Sequence, residues 1–393
     1  MRQAEAAQRA EAGGGFRAGA AEEEAAEVPA AQPIGPAVDQ LPPVVDVISP
    51  GLAITASEPK LILKLRIRTP AAAPVSAITT RVVSARQVSR GLQAKPAADE
   101  QTLSVTLPEE DAQVQIVASN RWGSSLPAVV RVRYVGKPAA TQRGKGVLHL
   151  VSIGVSDYDN PRYRLGLAAK DAQDFGRLLG GQQGKLYDKV EATVLTDKTA
   201  GKAAVEKALA DLRDRVQPQD TTFVFLAGHG INDDSGEYLF LPKEADLARL
   251  RDTGISFRLM RQVLASLPGR TLMFVDTCHA GNALGDLRAG LSRDNTAAIN
   301  ELASVENNII VFASSTGAQE SIEDAAWGNG AFTKALVEGL KGAADFKKRG
   351  RVTYKQLDAY IADRVEELTK GRQTPVTPVL LTVPDFALAE TAR

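Results

Sequence analysis

Between residues 44 and 136, apolar and polar positions alternate in short runs: VVDVISP, LILKLRIR, ITTRVVSAR, TLSVTL, VQIVASN and AVVRVRYV. From Lys60 to Arg68, Leu61, Leu63, Leu65 and Ile67 fall on one side, and Lys64, Arg66 and Arg68 on the other. A period of two belongs to half-buried antiparallel strands. Turn formers such as Ser49-Pro50-Gly51 separate the runs. About six or seven strands in ~90 residues predict a small all-β sandwich.

After Gly146 the pattern changes. Uniformly apolar runs occur at Val147–Val155, Val190–Leu195, Thr222–Ala227, Thr271–Val275, Ile309–Ala313 and Val379–Val383. Helical spacing lies between them: Leu165, Ala168, Ala172, Phe175 and Leu179 share a face, as do Val205, Leu209, Leu212 and Val216, and later Leu357, Ile361, Val365 and Leu368. Thr199, Ser256 and Thr353 are placed to cap helix N-termini. Strands buried on both faces and joined by helices predict a largely parallel α/β sheet.

These patterns divide the chain. Residues 1–43 are Ala/Glu-rich and end in a Pro linker (Pro33, Pro36, Pro42, Pro43). Such a segment has little to bury and is expected to be disordered. The sandwich spans 44–137, a polar linker 138–146, the α/β domain 147–386 and a tail 387–393. The stretch VQIVASNRWGSSLPAVVRVRY resembles the last hairpin of an immunoglobulin-like domain, without the Cys–Trp–Cys signature of a true one.

Composition narrows the function classes. Lys+Arg and Asp+Glu both number 47, so the net charge of zero gives no bulk attraction to nucleic acid or a membrane surface. Neither a signal peptide nor an 18-residue apolar run is present, which points to a cytoplasmic location. The single cysteine permits no internal disulfide and fits a reducing compartment.

That cysteine carries the chemistry. Ligands and catalytic groups in open α/β sheets gather beyond the carboxyl ends of the strands. One strand reads Phe223-Val224-Phe225-Leu226-Ala227-Gly228-His229-Gly230, and another Leu272-Met273-Phe274-Val275-Asp276-Thr277-Cys278-His279-Ala280-Gly281. If they are neighbours, His229 meets Cys278. A thiol is nucleophilic as thiolate, and an imidazole beside it takes its proton and later protonates the leaving amine. Backbone N–H groups of Gly230 and Cys278 are candidate oxyanion donors. His279 and His149 are not read as the base.

Strand–GHG followed by strand–DTCHAG resembles the caspase–haemoglobinase clan. Within it, the nearest pattern is that of metacaspases and bacterial orthocaspases, whose cysteine motif is typically Asp-Ser-Cys-His-Ser-Gly. The spacing from His229 to Cys278, 49 positions, agrees with the clan. Leu167-Ala168-Ala169-Lys170-Asp171-Ala172 resembles the family's early Asn-Asp-Ala segment. Ala313–Ser321 resembles its Gln-containing strand and loop, and Gly330-Ala331-Phe332-Thr333 its Gly-x-Phe-Thr helix start. The resemblance covers roughly Val147–Asp385 and implies a cysteine endopeptidase of caspase-like fold.

It also implies specificity. Metacaspases select Arg or Lys with acidic pocket residues, and Asp171 and Asp276 occupy those positions here. A carboxylate pair complements a basic P1 side chain. Ala168 stands where some relatives carry cysteine, and Ala227 where they carry serine. An Asp-specific pocket would need arginine, with Arg162 and Arg164 as the nearby candidates. A catalytically weak interaction module is the remaining alternative. Arg288 and Arg293, after the nucleophile, are candidate self-cleavage sites. Many metacaspases need calcium, but Asp233, Asp234, Glu237, Glu244 and Asp246 do not follow an EF-hand spacing, so no metal or cofactor is assigned. The expected partners are protein or peptide substrates and a regulatory protein bound by the sandwich.

Overall fold

The computed structural model describes residues 41–84, 88–90, 100–136, 145–278, 295–303, 309–315, 319, 321–378 and 385–391. The Ala/Glu-rich segment up to residue 40, His279, Arg288, Arg293 and the apolar run Val379–Val383 lie outside these residues.

The period-two runs form β1 (Val44–Ser49), β2 (Ala53–Ala56), β3 (Lys60–Arg68), β4 (Ala77–Ser84), β5 (Val88–Arg90), β6 (Glu100–Thr106), β7 (Ala112–Asn120), β8 (Gly123–Ser124) and β9 (Ala128–Tyr134). One sheet runs β1-β3-β6 and the other β2-β9-β7-β4-β5, with β8 on β7. In β3 the alternation is complete, with Leu61, Leu63, Leu65 and Ile67 buried and the residues between them exposed. These side chains share a core with Ile78, Val82, Val114, Ile116, Val130 and Val132 of the second sheet. The strands β2, β5 and β8 have two to four residues each, too short to show a period.

The α/β region follows as β10 (Val147–Gly154), α1 (Ala168–Gly180), β11 (Lys189–Thr196), α2 (Lys202–Ala210), α3 (Leu212–Arg215) and β12 (Thr221–Asn232). Then come β13 (Tyr238–Phe240), α4 (Leu250–Thr253), β14 (Ile255–Ser256), α5 (Phe257–Ser266), β15 (Arg270–Cys278), α6 (Thr296–Leu302) and β16 (Ile309–Ala313). The last elements are β17 (Glu323–Asp324), β18 (Asn329–Gly330), α7 (Ala331–Glu338), β19 (Arg351–Thr353), α8 (Tyr354–Thr369) and β20 (Ala387–Glu390).

The central sheet runs β11-β10-β12-β15-β16, all parallel. Successive residues of each strand point to opposite faces, so a run such as Phe223-Val224-Phe225-Leu226 feeds two cores. Phe223 and Phe225 join Phe274, Phe312 and Phe175 against α1, α7 and α8. Val224 and Leu226 join Met273 and Val275 against α2, α5 and α6. The phenylalanines interlock, with Phe175–Phe225 at 4.9 Å, Phe175–Phe274 at 5.1 Å and Phe274–Phe312 at 5.1 Å between centroids. This α/β/α packing holds the carboxyl ends of β12 and β15 side by side.

Two caps form as read. Ser256 Oγ accepts the Leu259 N–H at 3.2 Å, and Thr353 exchanges hydrogen bonds with Gln356 in a capping box. Thr199 does not cap α2. Gly201 takes that position, and Thr199 instead closes a single-turn capping box with Thr196. Ala387–Glu390, read as tail, is a strand: β20 pairs with β19, and Leu388 and Ala389 are buried. The sandwich meets the foot of β15, where Gly269 N–H donates to Val88 O at 3.0 Å and Arg270 donates to Ser84 O at 2.9 Å. Among the described residues no helix is long and apolar enough to cross a membrane.

Candidate active site

β12 and β15 are adjacent and in register, pairing Ala227 with Asp276, Gly228 with Thr277 and His229 with Cys278. Neighbouring strands lie about 4.8 Å apart, so the backbones of the imidazole and thiol residues are one strand spacing apart. Cys278 is described through its backbone, as the last residue of β15.

His229 is fully buried. Its Nε2 lies 2.8 Å from the Tyr163 carbonyl oxygen. A carbonyl only accepts, so Nε2 carries the proton and donates, and Nδ1 is the basic nitrogen of the neutral ring. The His229 backbone N–H donates to Tyr158 Oη at 2.9 Å, and the Tyr158 ring stacks on the imidazole at 5.1 Å and 27°. Tyr238 Oη and Thr277 Oγ1, 2.9 Å apart, join β13 to the end of β15.

Beside this pair lies a small hollow lined by Ala168, Asp171, Ala227, Asp276, Ser321, Glu323 and Gly330. Both sequence-selected aspartates are in it and both are buried. Asp171, in the first turn of α1, accepts from Asn329 Nδ2 at 2.7 Å and Gly330 N–H at 3.2 Å. Asp276 accepts from Ser321 Oγ at 2.6 Å and Thr333 Oγ1 at 2.7 Å. Ala168 and Ala227 line the same space.

Glu323 is a third carboxylate that sequence reading missed. Its Oε2 accepts from the N–H groups of Gly166 (3.0 Å) and Leu167 (3.2 Å), which anchors β17 to the start of α1. β17 pairs with β18, Glu323 facing Gly330, so one hairpin delivers both to the hollow. All three acids are held above their ordinary range. Burial, then the charge of Asp276, pushes Asp171 up to about 8 against the hydrogen bonds of Asn329 and Gly330. Burial raises Asp276 against the hydroxyls of Ser321 and Thr333. Burial and Asp276 together raise Glu323. In each case burial disfavours the charged form, and a nearby positive charge would favour it.

The remaining sequence candidates sit elsewhere. His149 is buried at the opposite end of the sheet, with Nε2 3.0 Å from Asp220. Arg162 and Arg164 are exposed, and Arg164 pairs with Asp157 at 3.1 Å. The acids after His229 have protein partners: Asp233 takes Arg251 at 2.8 Å, Glu237 takes Arg258 at 3.0 Å, and Glu244 takes the Lys202 N–H at 2.7 Å. Asp246 caps a short turn through the Ala248 N–H at 2.9 Å. No group of three or more His, Cys, Asp or Glu suited to a metal ion occurs among the described residues.

No curated protein matches the chain. Among solved structures, protein GSU0716 from Geobacter sulfurreducens aligns at 18% identity over 63% of this chain and all of its own, with a TM-score of 0.44. Murine CRIg aligns at 5% identity over 23% of this chain and 97% of its own (TM-score 0.18), and a segment of titin at 20% identity over 23% and 32% (TM-score 0.15). The family assignment therefore rests on the sequence match to a family model, the caspase domain, over residues 149–383. That match takes in both strand ends, the acidic hollow and the five-stranded parallel sheet, and the chain belongs to the caspase-domain family of cysteine peptidases.

Proposed function

We propose that the chain is a cysteine endopeptidase that cleaves after Arg or Lys. Cys278 gives its Sγ proton to His229 Nδ1 and attacks the scissile carbonyl. The tetrahedral oxyanion is met by the N–H groups of Gly230 and Cys278. Collapse to the thioester expels the amine, which takes the proton from His229, and water then hydrolyses the thioester. The Tyr163 carbonyl keeps the ring in the productive tautomer throughout, because Nε2–H has a fixed acceptor.

The observation that carries the specificity is the acidic hollow. Among the described residues, three carboxylates and no basic side chain line it. An Asp at P1 would add a fourth acid to a space where burial already disfavours charge. A guanidinium or ammonium supplies a countercharge and favours the charged form of the acids. The exposed positions of Arg162 and Arg164 speak against the Asp-specific alternative.

Matched fluorogenic peptides with Arg, Lys, citrulline or Asp at P1 test this. Arg and Lys peptides should be cut, and citrulline, which keeps the shape of Arg without its charge, should be cut at least ~100-fold more slowly. Equal turnover of the Arg and citrulline peptides would refute charge selection. Arg288 and Arg293 offer self-cleavage sites in the same chain. Fragments that persist on a gel when both are changed to Ala would remove that part of the proposal. The sandwich, hydrogen-bonded to the foot of β15, is assigned a regulatory binding role.

A further inference from the structure

We infer that Tyr158 is a positioning residue for the histidine base, holding the His229 ring in place by its face and the His229 backbone by its hydroxyl. This inference rests on the peptidase reading above.

Tyr158 lies on the loop between β10 and α1 and is buried. Three contacts meet on this loop. The Tyr158 hydroxyl accepts the His229 N–H at 2.9 Å. Its ring stacks on the imidazole at 5.1 Å. The same ring meets Tyr163 edge-on at 6.2 Å, and Tyr163 supplies the carbonyl that receives Nε2–H at 2.8 Å. One loop thus fixes the ring's plane, its tautomer and the backbone that carries it.

The surroundings make room for that contact. Gly228 sits at φ +153°, and a Cβ there would lie 2.9 Å from Tyr158 Oη and 3.0 Å from Phe240. Only glycine lets the strand end pass beneath the hydroxyl. The loop is itself tied down. Asp197 Oδ1 accepts the N–H groups of Ser156 and Asp157, both at 2.8 Å, and Asp159 pairs with Lys243. The π face beside the imidazole also favours the protonated ring that forms once the thiol has given up its proton.

The test compares Tyr158→Phe, which keeps the ring and removes the hydroxyl, with Tyr158→Leu, which removes both. With an Arg peptide, Tyr158→Phe should lower kcat about tenfold and Tyr158→Leu about 100-fold, KM holding in both. Cys278 is the sole cysteine, so iodoacetamide provides a second readout that needs no peptide. The thiolate displaces iodide, and the rate measured by intact mass should fall in the same order. Circular dichroism checks that both variants fold. Wild-type rates in both variants would overturn the inference, as would losses that only track the folded fraction. If the wild-type protein cuts no basic peptide, the peptidase reading fails, while the alkylation series still decides the role of Tyr158.

Discussion

The two ends of the parallel sheet each hold a buried histidine and a buried aspartate, and treat them in opposite ways. At the foot, burial alone would raise Asp220. The hydrogen bond from His149 and the N–H groups of Val147 and Gln217 outweigh it and hold the carboxyl below its ordinary range. His149 Nε2 and those two N–H groups reach Asp220 at 3.0, 2.9 and 2.9 Å. Glu191 adds a second carboxylate, 3.5 Å from His149 Nδ1. At the head, the hydroxyls of Ser321, Thr333 and Ser314 and the Thr333 N–H do not outweigh burial, so the Asp276 carboxyl rises. His229 at that end meets the Tyr163 carbonyl and the Tyr158 phenol. The foot satisfies its charges internally and joins structure together. The head gathers acids whose charged forms burial disfavours, which the proposed basic P1 side chain would complement.

The comparison breaks most severely if the head is disarmed. Cys278→Ala or His229→Ala should lower kcat/KM on Arg peptides by about 10³-fold or more, beyond any loss of folded protein. The equivalent change at the foot, His149→Ala, should leave kcat/KM within about threefold and lower stability instead. Steady-state kinetics beside thermal melts would check both.

Next in size is the pocket charge. Asp276→Asn should raise KM for Arg peptides and lower kcat/KM by about 100-fold, because a buried cation then lacks its partner. Citrulline peptides should respond far less. A parallel loss on both substrates would mean that Asp276 acts through the fold rather than through P1.

Stability against pH sharpens the contrast further, because the signs are opposite. Folding raises Asp171 from 3.8 to about 8, so the folded chain holds more protons than the unfolded chain between those values, and stability falls as pH rises through that window. Asp171→Asn does not titrate. The wild-type protein should therefore gain stability relative to this variant as pH falls from about 8 to about 5. Folding lowers Asp220, whose contribution is present above 3.8 and is lost on acidification through its folded value. Asp220→Asn should cost about 1–3 kcal/mol near neutrality and less at low pH. Urea melts at several pH values would follow both trends, and a common sign would contradict the distinction between head and foot.

Much of the head was legible in the sequence. His229 and Cys278 stand at the ends of apolar runs, where the period of the strands itself reports that a rim has been reached, and Asp276 is fixed by adjacency to Cys278. Asp171 was visible only through its family resemblance, because a single acid in a helical turn has no periodic signature. Glu323 and Asn329 were not legible. They reach the hollow on a two-stranded hairpin more than 150 positions from Asp171, and two-residue strands leave no pattern. The Tyr163 carbonyl that sets the tautomer is backbone, which every residue carries. Thr199 misled for a related reason. A hydroxyl before a helical run signals a cap, but Thr196 captured it in a local turn and left Gly201 at the helix start.

The most direct measurement is labelling of the wild-type protein by an Arg-ketone active-site probe, followed by peptide mass mapping. One adduct is expected, on Cys278, absent in His229→Ala and prevented by excess Arg peptide but not by Asp peptide. An unlabelled Cys278 in folded protein, or labelling that Asp peptide blocks and Arg peptide does not, would contradict it.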